Sequence, residues 1–153
     1  MKLYLVQHGN ALDKDLDPDR SLSQQGTRDV RKIAGVIKPL DICAELWHSG
    51  KTRSEQTAGI LAEVMVVEDG ISRKEGLSPN DDVGTIKDTI ESSDRDVMIV
   101  GHLPFLGKLA SLLLAGDESS GAVAFKQGSI VCLECDDDKR WHLGWMIIPE
   151  IIV

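Results

Sequence analysis

The chain has 153 residues, of which 42% are hydrophobic and 27% are charged, and its formal net charge at pH 7 is -8. This length and apolar content fit one compact domain with a buried core, so we predict a single domain over residues 1–153. The acidic balance argues against nucleic acid or an anionic membrane surface as a partner, because both would repel the protein at long range. An anionic substrate would therefore need a local basic pocket.

The first residues form an apolar segment without a basic leader, and no long uncharged apolar run follows. A sequence of this kind is expected in the cytoplasm. Three cysteines are present, and Cys132 and Cys135 lie three residues apart in a predicted strand, which places them on opposite faces of a sheet. We therefore expect ordinary reduced cysteines rather than a metal or redox pair.

From the N-terminus, short apolar runs alternate with amphipathic segments. Strands are predicted at residues 3–6, 44–48, 64–68 and 96–101, and helices at residues 24–37, 52–64, 82–91 and 105–114. Ser23 is a predicted N-cap of the first helix, whose apolar residues recur at helical spacing: Val30, Ile33, Ala34 and Ile37. Segments 129–135 and 141–148 flank a turn and predict a β-hairpin. The order predicts an α/β three-layer sandwich, with a mostly parallel central sheet and antiparallel edge strands.

Two histidines occupy equivalent places in this order. His8 and His102 each follow an apolar strand and precede a loop or helix. Ligands of open α/β sheets bind beyond the carboxyl ends of the strands, so residues from two such ends can meet at one site. Position alone leaves open whether both histidines are structural or exposed.

Four motifs occur in order along the chain. They are Gln7-His8-Gly9, the segment 20–26 that begins Arg20-Ser21-Leu22-Ser23, the segment 49–58 that contains Arg53-Ser54-Glu55-Gln56-Thr57-Ala58, and the segment 101–107 that begins Gly101-His102-Leu103-Pro104. Each motif is weak alone, but four in this order are specific. They resemble the small, cap-less branch of the histidine phosphatase superfamily, and closely its SixA-type phosphohistidine phosphatases, over nearly the whole chain. The family's helix start is Arg-Ala-x-Gln-Thr-Ala. The resemblance implies a phosphoglycerate mutase-like fold.

The resemblance also implies a reaction. A phosphoryl group would be transferred to His8 as the covalent nucleophile, and water would then hydrolyse the phosphohistidine. His102 would be the second catalytic histidine, and Arg53 and Arg20 would bind the phosphate oxygens. Asn10 would add an amide donor, or alternatively cap its own loop. No metal cofactor is implied, the partner would be a protein that carries phosphohistidine, and inorganic phosphate would be the product.

Gln7 departs from the family, which has arginine before the nucleophilic histidine. A glutamine amide can still contact phosphate, but it is neutral and donates through one nitrogen. Loss of one preorganised donor can reduce the rate by about 10²-fold. The sequence therefore leaves open a catalytically weak or inactive phosphate-binding member. Lys51 is a candidate for compensation, with an ordinary surface lysine as the alternative.

A general acid is the remaining question. Glu75, Asp81 and Asp82 precede the fourth predicted strand, yet none belongs to a firm motif. Phosphohistidine has an imidazole leaving group of pKa about 6.5, which needs far less protonation than an alkoxide. This favours phosphohistidine as substrate and leaves a small-molecule phosphomonoesterase as a further alternative. No long insertion is available to form a lid, so an open site is predicted.

Overall fold

The computed structural model describes residues 1–153. Its elements, in chain order, are β1 (Lys2–Gln7), α1 (Gln24–Ile37), β2 (Cys43–His48), α2 (Thr52–Ala62), β3 (Val66–Arg73), α3 (Val83–Glu91), β4 (Val97–Gly101), α4 (Phe105–Ala115), β5 (Ile130–Cys135) and β6 (Trp141–Ile147). Two short 3₁₀ turns occur at Lys38–Leu40 and Pro149–Ile151. No helix combines the length and the apolar character that a membrane crossing would require.

The six strands form one sheet in the order β3-β2-β4-β1-β5-β6. The first four of these strands run parallel, and β5 and β6 are antiparallel to their neighbours. The predicted α/β class and mixed sheet are therefore confirmed, with the antiparallel strands on one side and parallel β3 at the other edge. The carboxyl ends of β1, β2 and β4 lie side by side at one edge of the sheet.

Helices cover both faces of the sheet, as the predicted three layers require. The predicted apolar stripe of α1 is buried in one core cluster, together with residues of α2 such as Leu61. Residues of α3 and α4, among them Ile90 and Phe105, form a second cluster on the opposite face. Cys132 belongs to the first cluster and Cys135 packs against the second, so the two lie on opposite faces as predicted. All three cysteines are free, and burial raises the pKa of Cys132 to about 11.

The largest departure from the predicted elements concerns β3. The sequence predicts a strand that ends at residue 68, whereas β3 continues to Arg73. The pairing with β2 jumps from Glu45 opposite Glu68 to Leu46 opposite Ile71. At the jump, Asp69 and Gly70 adopt φ values of 59° and 80°. The turn chemistry of Asp-Gly therefore forms a bulge within the strand instead of ending it.

The start of α1 is fixed against the loop that follows β1. The Ser23 hydroxyl accepts a hydrogen bond from the Gly26 backbone N–H at 3.0 Å, which confirms Ser23 as the N-cap. A Cβ on Gly26 would lie 2.0 Å from the Asn10 carbonyl oxygen. Glycine at position 26 therefore allows the helix to approach the loop that carries His8.

We predict opposite effects for two glycine-to-alanine changes in α1. Gly26→Ala should lower the free energy of unfolding by about 2 kcal/mol or more, because the methyl group overlaps the Asn10 carbonyl. Gly35→Ala meets no atom within 4 Å and should raise it by about 0.5–1 kcal/mol through helix propensity. Urea unfolding measures both, and equal changes in the two variants would contradict the proposed close approach.

Candidate active site

Two predicted catalytic histidines meet at the carboxyl edge of the sheet. His8 directly follows β1 and His102 directly follows β4. Their ring centroids are 5.0 Å apart, and their ring planes are tilted by 53°. His8 is 8% exposed and His102 is 2% exposed. The fold therefore brings both imidazoles into one nearly buried cluster.

The His8 ring is held with one nitrogen occupied and the other directed to a cation. Its Nδ1 lies 2.7 Å from the Gly9 carbonyl oxygen, so Nδ1 carries the proton and donates it. Its Nε2 accepts a hydrogen bond from Nε of Arg53 at 3.3 Å. Burial lowers the pKa of His8, and the charges of Arg53 and Arg20 lower it further, against the opposing effect of the Gly9 hydrogen bond. His8 is therefore a neutral imidazole at neutral pH, with Nε2 unprotonated and hydrogen-bonded to Arg53.

Gly9 fixes the backbone beside this ring. Its N–H donates to the Thr57 hydroxyl at 3.1 Å, and that hydroxyl donates to the Arg53 carbonyl at 2.8 Å. A Cβ on Gly9 would lie 2.9 Å from the Val30 side chain. The His-Gly pair thus packs between α1 and α2, and Thr57 joins the nucleophile loop to the helix that carries Arg53.

The His102 ring contacts two hydroxyl groups. Its Nε2 is 2.6 Å from Ser49 Oγ and 3.2 Å from Ser54 Oγ, while its buried Nδ1 has no hydrogen-bond partner in the protein. The pKa of His102 falls to about 3, chiefly through burial and then through the nearby His8 and the charges of Arg53, Lys51 and Arg20. His102 is therefore neutral and retains one unused ring nitrogen.

The predicted cations surround these rings. Arg53 is in the first turn of α2, and its pKa is lowered by burial and by the charge of Arg20. Arg20 has a left-handed backbone, with φ of 51°, and its Nε donates to the Leu12 carbonyl at 3.2 Å. Lys51 is exposed at the N-cap of α2. None of the three forms a salt bridge. Their positive charge is consequently free to attract an anion.

Gln7 and Asn10 complete the predicted phosphate-binding set. Gln7 is 8% exposed, and its side-chain carbonyl is buried without a partner. Asn10 accepts from the Ser23 hydroxyl at 2.6 Å and donates from its amide to Gln127 at 3.1 Å. Asn10 therefore ties its loop to α1 and to the segment before β5, which is the loop-capping alternative, and one amide hydrogen is left over.

The acidic candidates have other contacts. Asp82 caps α3 by accepting from the Thr85 N–H at 3.1 Å, and Asp81 accepts from the Ser78 N–H at 2.9 Å. Glu75 is exposed and makes no side-chain hydrogen bond or salt bridge. The two aspartates thus have structural roles in the β3–α3 connection.

Sequence reasoning missed the uncharged partners of the site. Ser49 and Ser54 contact His102, and Thr57 contacts Gly9. Gln56 accepts from the Leu22 backbone N–H at 2.7 Å and so fixes the β1–α1 loop. All four belong to the 49–58 motif, which is the available signal, but sequence reasoning takes only the charged Lys51 and Arg53 from it.

Comparison with known proteins identifies the fold. No protein-family model matches the chain, and no curated protein matches it. Among solved structures, the protein histidine phosphatase SixA in complex with tungstate is similar over 97% of each chain, with 24% sequence identity and a TM-score of 0.82. A protein of Agrobacterium tumefaciens assigned to SixA has 21% identity over 95% of this chain and 97% of its own, with a TM-score of 0.74.

A second enzyme class has the same architecture. A phosphoserine phosphatase variant from Entamoeba histolytica, in complex with phosphoserine, covers 99% of both chains at 14% identity, with a TM-score of 0.72. Sequence identities below 25% establish a shared fold and do not identify the substrate. The chain has the phosphoglycerate mutase-like fold, which it shares with SixA phosphohistidine phosphatases and with other solved structures of the histidine phosphatase superfamily.

Proposed function

We propose that the chain is a SixA-like phosphohistidine phosphatase with His8 as its covalent nucleophile. The observation that carries this proposal is the state of His8, whose Nδ1 proton is held by Gly9 while Nε2 stays unprotonated beside Arg53. A neutral imidazole held in this way suits attack on phosphorus. The similarity to SixA structures supports the same assignment.

The reaction proceeds in two displacements. The lone pair of His8 Nε2 forms a bond to phosphorus, and the P–N bond of the substrate breaks. Its electron pair goes to the substrate imidazole, which already carries a proton from solvent on its other nitrogen and therefore leaves as a neutral ring. A water molecule then attacks the phosphoryl group on His8. The second P–N bond breaks, the electron pair returns to Nε2, and inorganic phosphate leaves with the oxygen from water.

Positive charge and fixed donors stabilise the transferring group. Phosphoryl transfer depends mainly on positioning and on cationic donors around the equatorial oxygens. Arg53 already reaches His8 Nε2, and Arg20 is close enough to lower the pKa of both His8 and Arg53. His102 Nδ1 has no partner in the protein, and its ring centroid is 5.0 Å from that of His8, so we assign it as a donor to a phosphoryl oxygen on His8.

The surroundings favour a phosphoamidate over an alkyl phosphate. Asp81 and Asp82 are held in the turn and cap that precede α3, and exposed Glu75 has no polar side-chain contact. An imidazole leaving group does not depend on a strong general acid. We therefore propose a protein that carries phosphohistidine as the substrate class.

One observation favours a different function, phosphate recognition without turnover. Gln7 is buried in the site where the family has a permanently charged arginine. The carbonyl oxygen of its side chain offers no donor to an anion and has no partner in the protein. A binding-only member would retain phosphate affinity through Arg20 and Arg53 and lack hydrolysis.

The first prediction concerns His8. Wild type should release phosphate from a purified phosphotransfer protein phosphorylated on histidine, and His8→Ala should abolish release because no group remains to accept the phosphoryl. Phosphate release is measured directly. His142→Ala is the control, since His142 is exposed on β6 and contacts Asp136 at 2.8 Å. Phosphate binding without release by wild type would establish the binding-only function instead.

The second prediction concerns Gln7. Gln7→Arg should raise kcat on the order of 10²-fold, because it restores a charged donor near the transferring group. Steady-state kinetics on the same phosphoprotein measure the change, and circular dichroism checks that the variant is folded. Unchanged kcat in a folded variant would show that neighbouring cations such as Lys51 already supply the missing charge.

The third prediction concerns pH. The lowered pKa values of His8 and His102 keep both imidazoles neutral below pH 6.5, so kcat/KM should hold at pH values where an ordinary histidine would already be protonated. The kcat/KM profile between pH 4 and 8, with brief assays that limit spontaneous phosphohistidine loss, tests this. An acid limb centred at or above the ordinary imidazole pKa of about 6.5 would contradict it.

A further inference from the structure

Two serines converge on one nitrogen of His102. Ser49 lies between β2 and α2, and Ser54 is fully buried in the first turns of α2, with 0% exposure. Their hydroxyl oxygens are 2.6 Å and 3.2 Å from His102 Nε2. The family motif has alanine at the position of Ser54, so the second hydroxyl is a feature of this chain.

The contacts of the hydroxyls define the direction of the hydrogen bonds. Ser49 Oγ accepts from the Lys51 backbone N–H at 3.4 Å, which leaves its hydrogen free to donate. Ser54 Oγ has no hydrogen-bond partner other than His102. If Nε2 carried a proton, it would donate to one serine and leave the other buried hydroxyl without an acceptor, which is unfavourable. An unprotonated Nε2 accepts from both, and the donor left without a partner is then the Nδ1–H group, which a bound phosphoryl group would pair.

We propose that Ser49 and Ser54 are positioning residues that hold His102 in the tautomer with its proton on Nδ1. The Nδ1–H group is buried and lacks an acceptor in the protein. In the reaction proposed above, on which this part depends, that N–H donates to a phosphoryl oxygen on His8. The pKa of His102, lowered to about 3, keeps the ring neutral, so the ring carries one proton and the hydrogen bonds around it decide which nitrogen holds that proton.

The fixed Nδ1–H donor of His102 would partly offset the charge that is missing at Gln7. A fixed N–H donor gives directional stabilisation to a phosphoryl oxygen without reorganisation during the reaction. The site lacks the charge that arginine would supply at position 7. It gains, from Ser54, a second hydroxyl group that contacts His102. The two departures concern the same cluster, because Gln7 pairs with Gly101, the residue before His102.

Nitrogen-15 NMR of the histidine side chains tests the tautomer without any substrate. In wild type, His102 should show a protonated Nδ1 and an unprotonated Nε2. Ser49→Ala combined with Ser54→Ala should give a mixture of tautomers or the Nε2–H form. Ser111→Ala is the matched control, because Ser111 is also buried but accepts from the Ala122 N–H at 3.1 Å and lies away from His102.

Two NMR results would overturn the proposal. One is a wild-type His102 that is mainly protonated on Nε2. The wild-type spectrum alone gives this result, even if the double variant fails to fold. The other is a folded double variant with the wild-type tautomer. Neither depends on turnover, so absence of phosphatase activity in wild type would reject the proposed function and leave the tautomer assignment to be decided separately.

Kinetics provide the second readout. Ser54→Ala should lower kcat by roughly 10-fold, by analogy with the loss seen when the hydrogen-bond partner of a metal-binding histidine is removed, with little change in KM. Ser54→Thr retains a hydroxyl and should retain most of the activity. A variant with altered KM and unchanged kcat would contradict a positioning role in the chemical step.

Discussion

The register between β1 and β4 determines the geometry of the site. Parallel pairing sets Gln7 opposite Gly101, and the His8 backbone N–H donates to the Gly101 carbonyl at 3.1 Å. The next residue on each strand is a histidine, so the two imidazoles lie close together without a specialised loop. A slip of one residue would turn alternate side chains to the opposite face and separate the rings.

Burial and charge act together on these rings. Both imidazoles are almost completely removed from water, and the neighbouring arginines add positive charge. Both effects lower the pKa values of the two histidines. The same arginines have no carboxylate partner, although acidic residues outnumber basic ones by 25 to 17 in the chain. Local charge at this edge of the sheet is thus opposite in sign to the net charge.

The sequence was sufficient for the features that periodicity and strong chemical types define. Helical spacing located α1 between Gln24 and Ile37, and apolar strands ending in histidine located His8 and His102. The extension of β3 was not predictable, because an Asp-Gly pair forms a turn or a bulge according to its neighbouring strand. The contacts of Ser49 and Ser54 with His102 were also not predictable from the sequence, because a hydroxyl acquires its role only from the tertiary structure that places it near an acceptor.

The hydrogen bond from Arg53 to His8 Nε2 has a further consequence for selectivity. The lone pair of the nucleophile is already engaged by a cationic donor, which makes it a poor ligand for metal cations and a poor target for neutral electrophiles. A group with anionic oxygens can draw the guanidinium onto itself and so release the lone pair. Exclusion of unsuitable reactants is in this way built into the resting site before any substrate arrives.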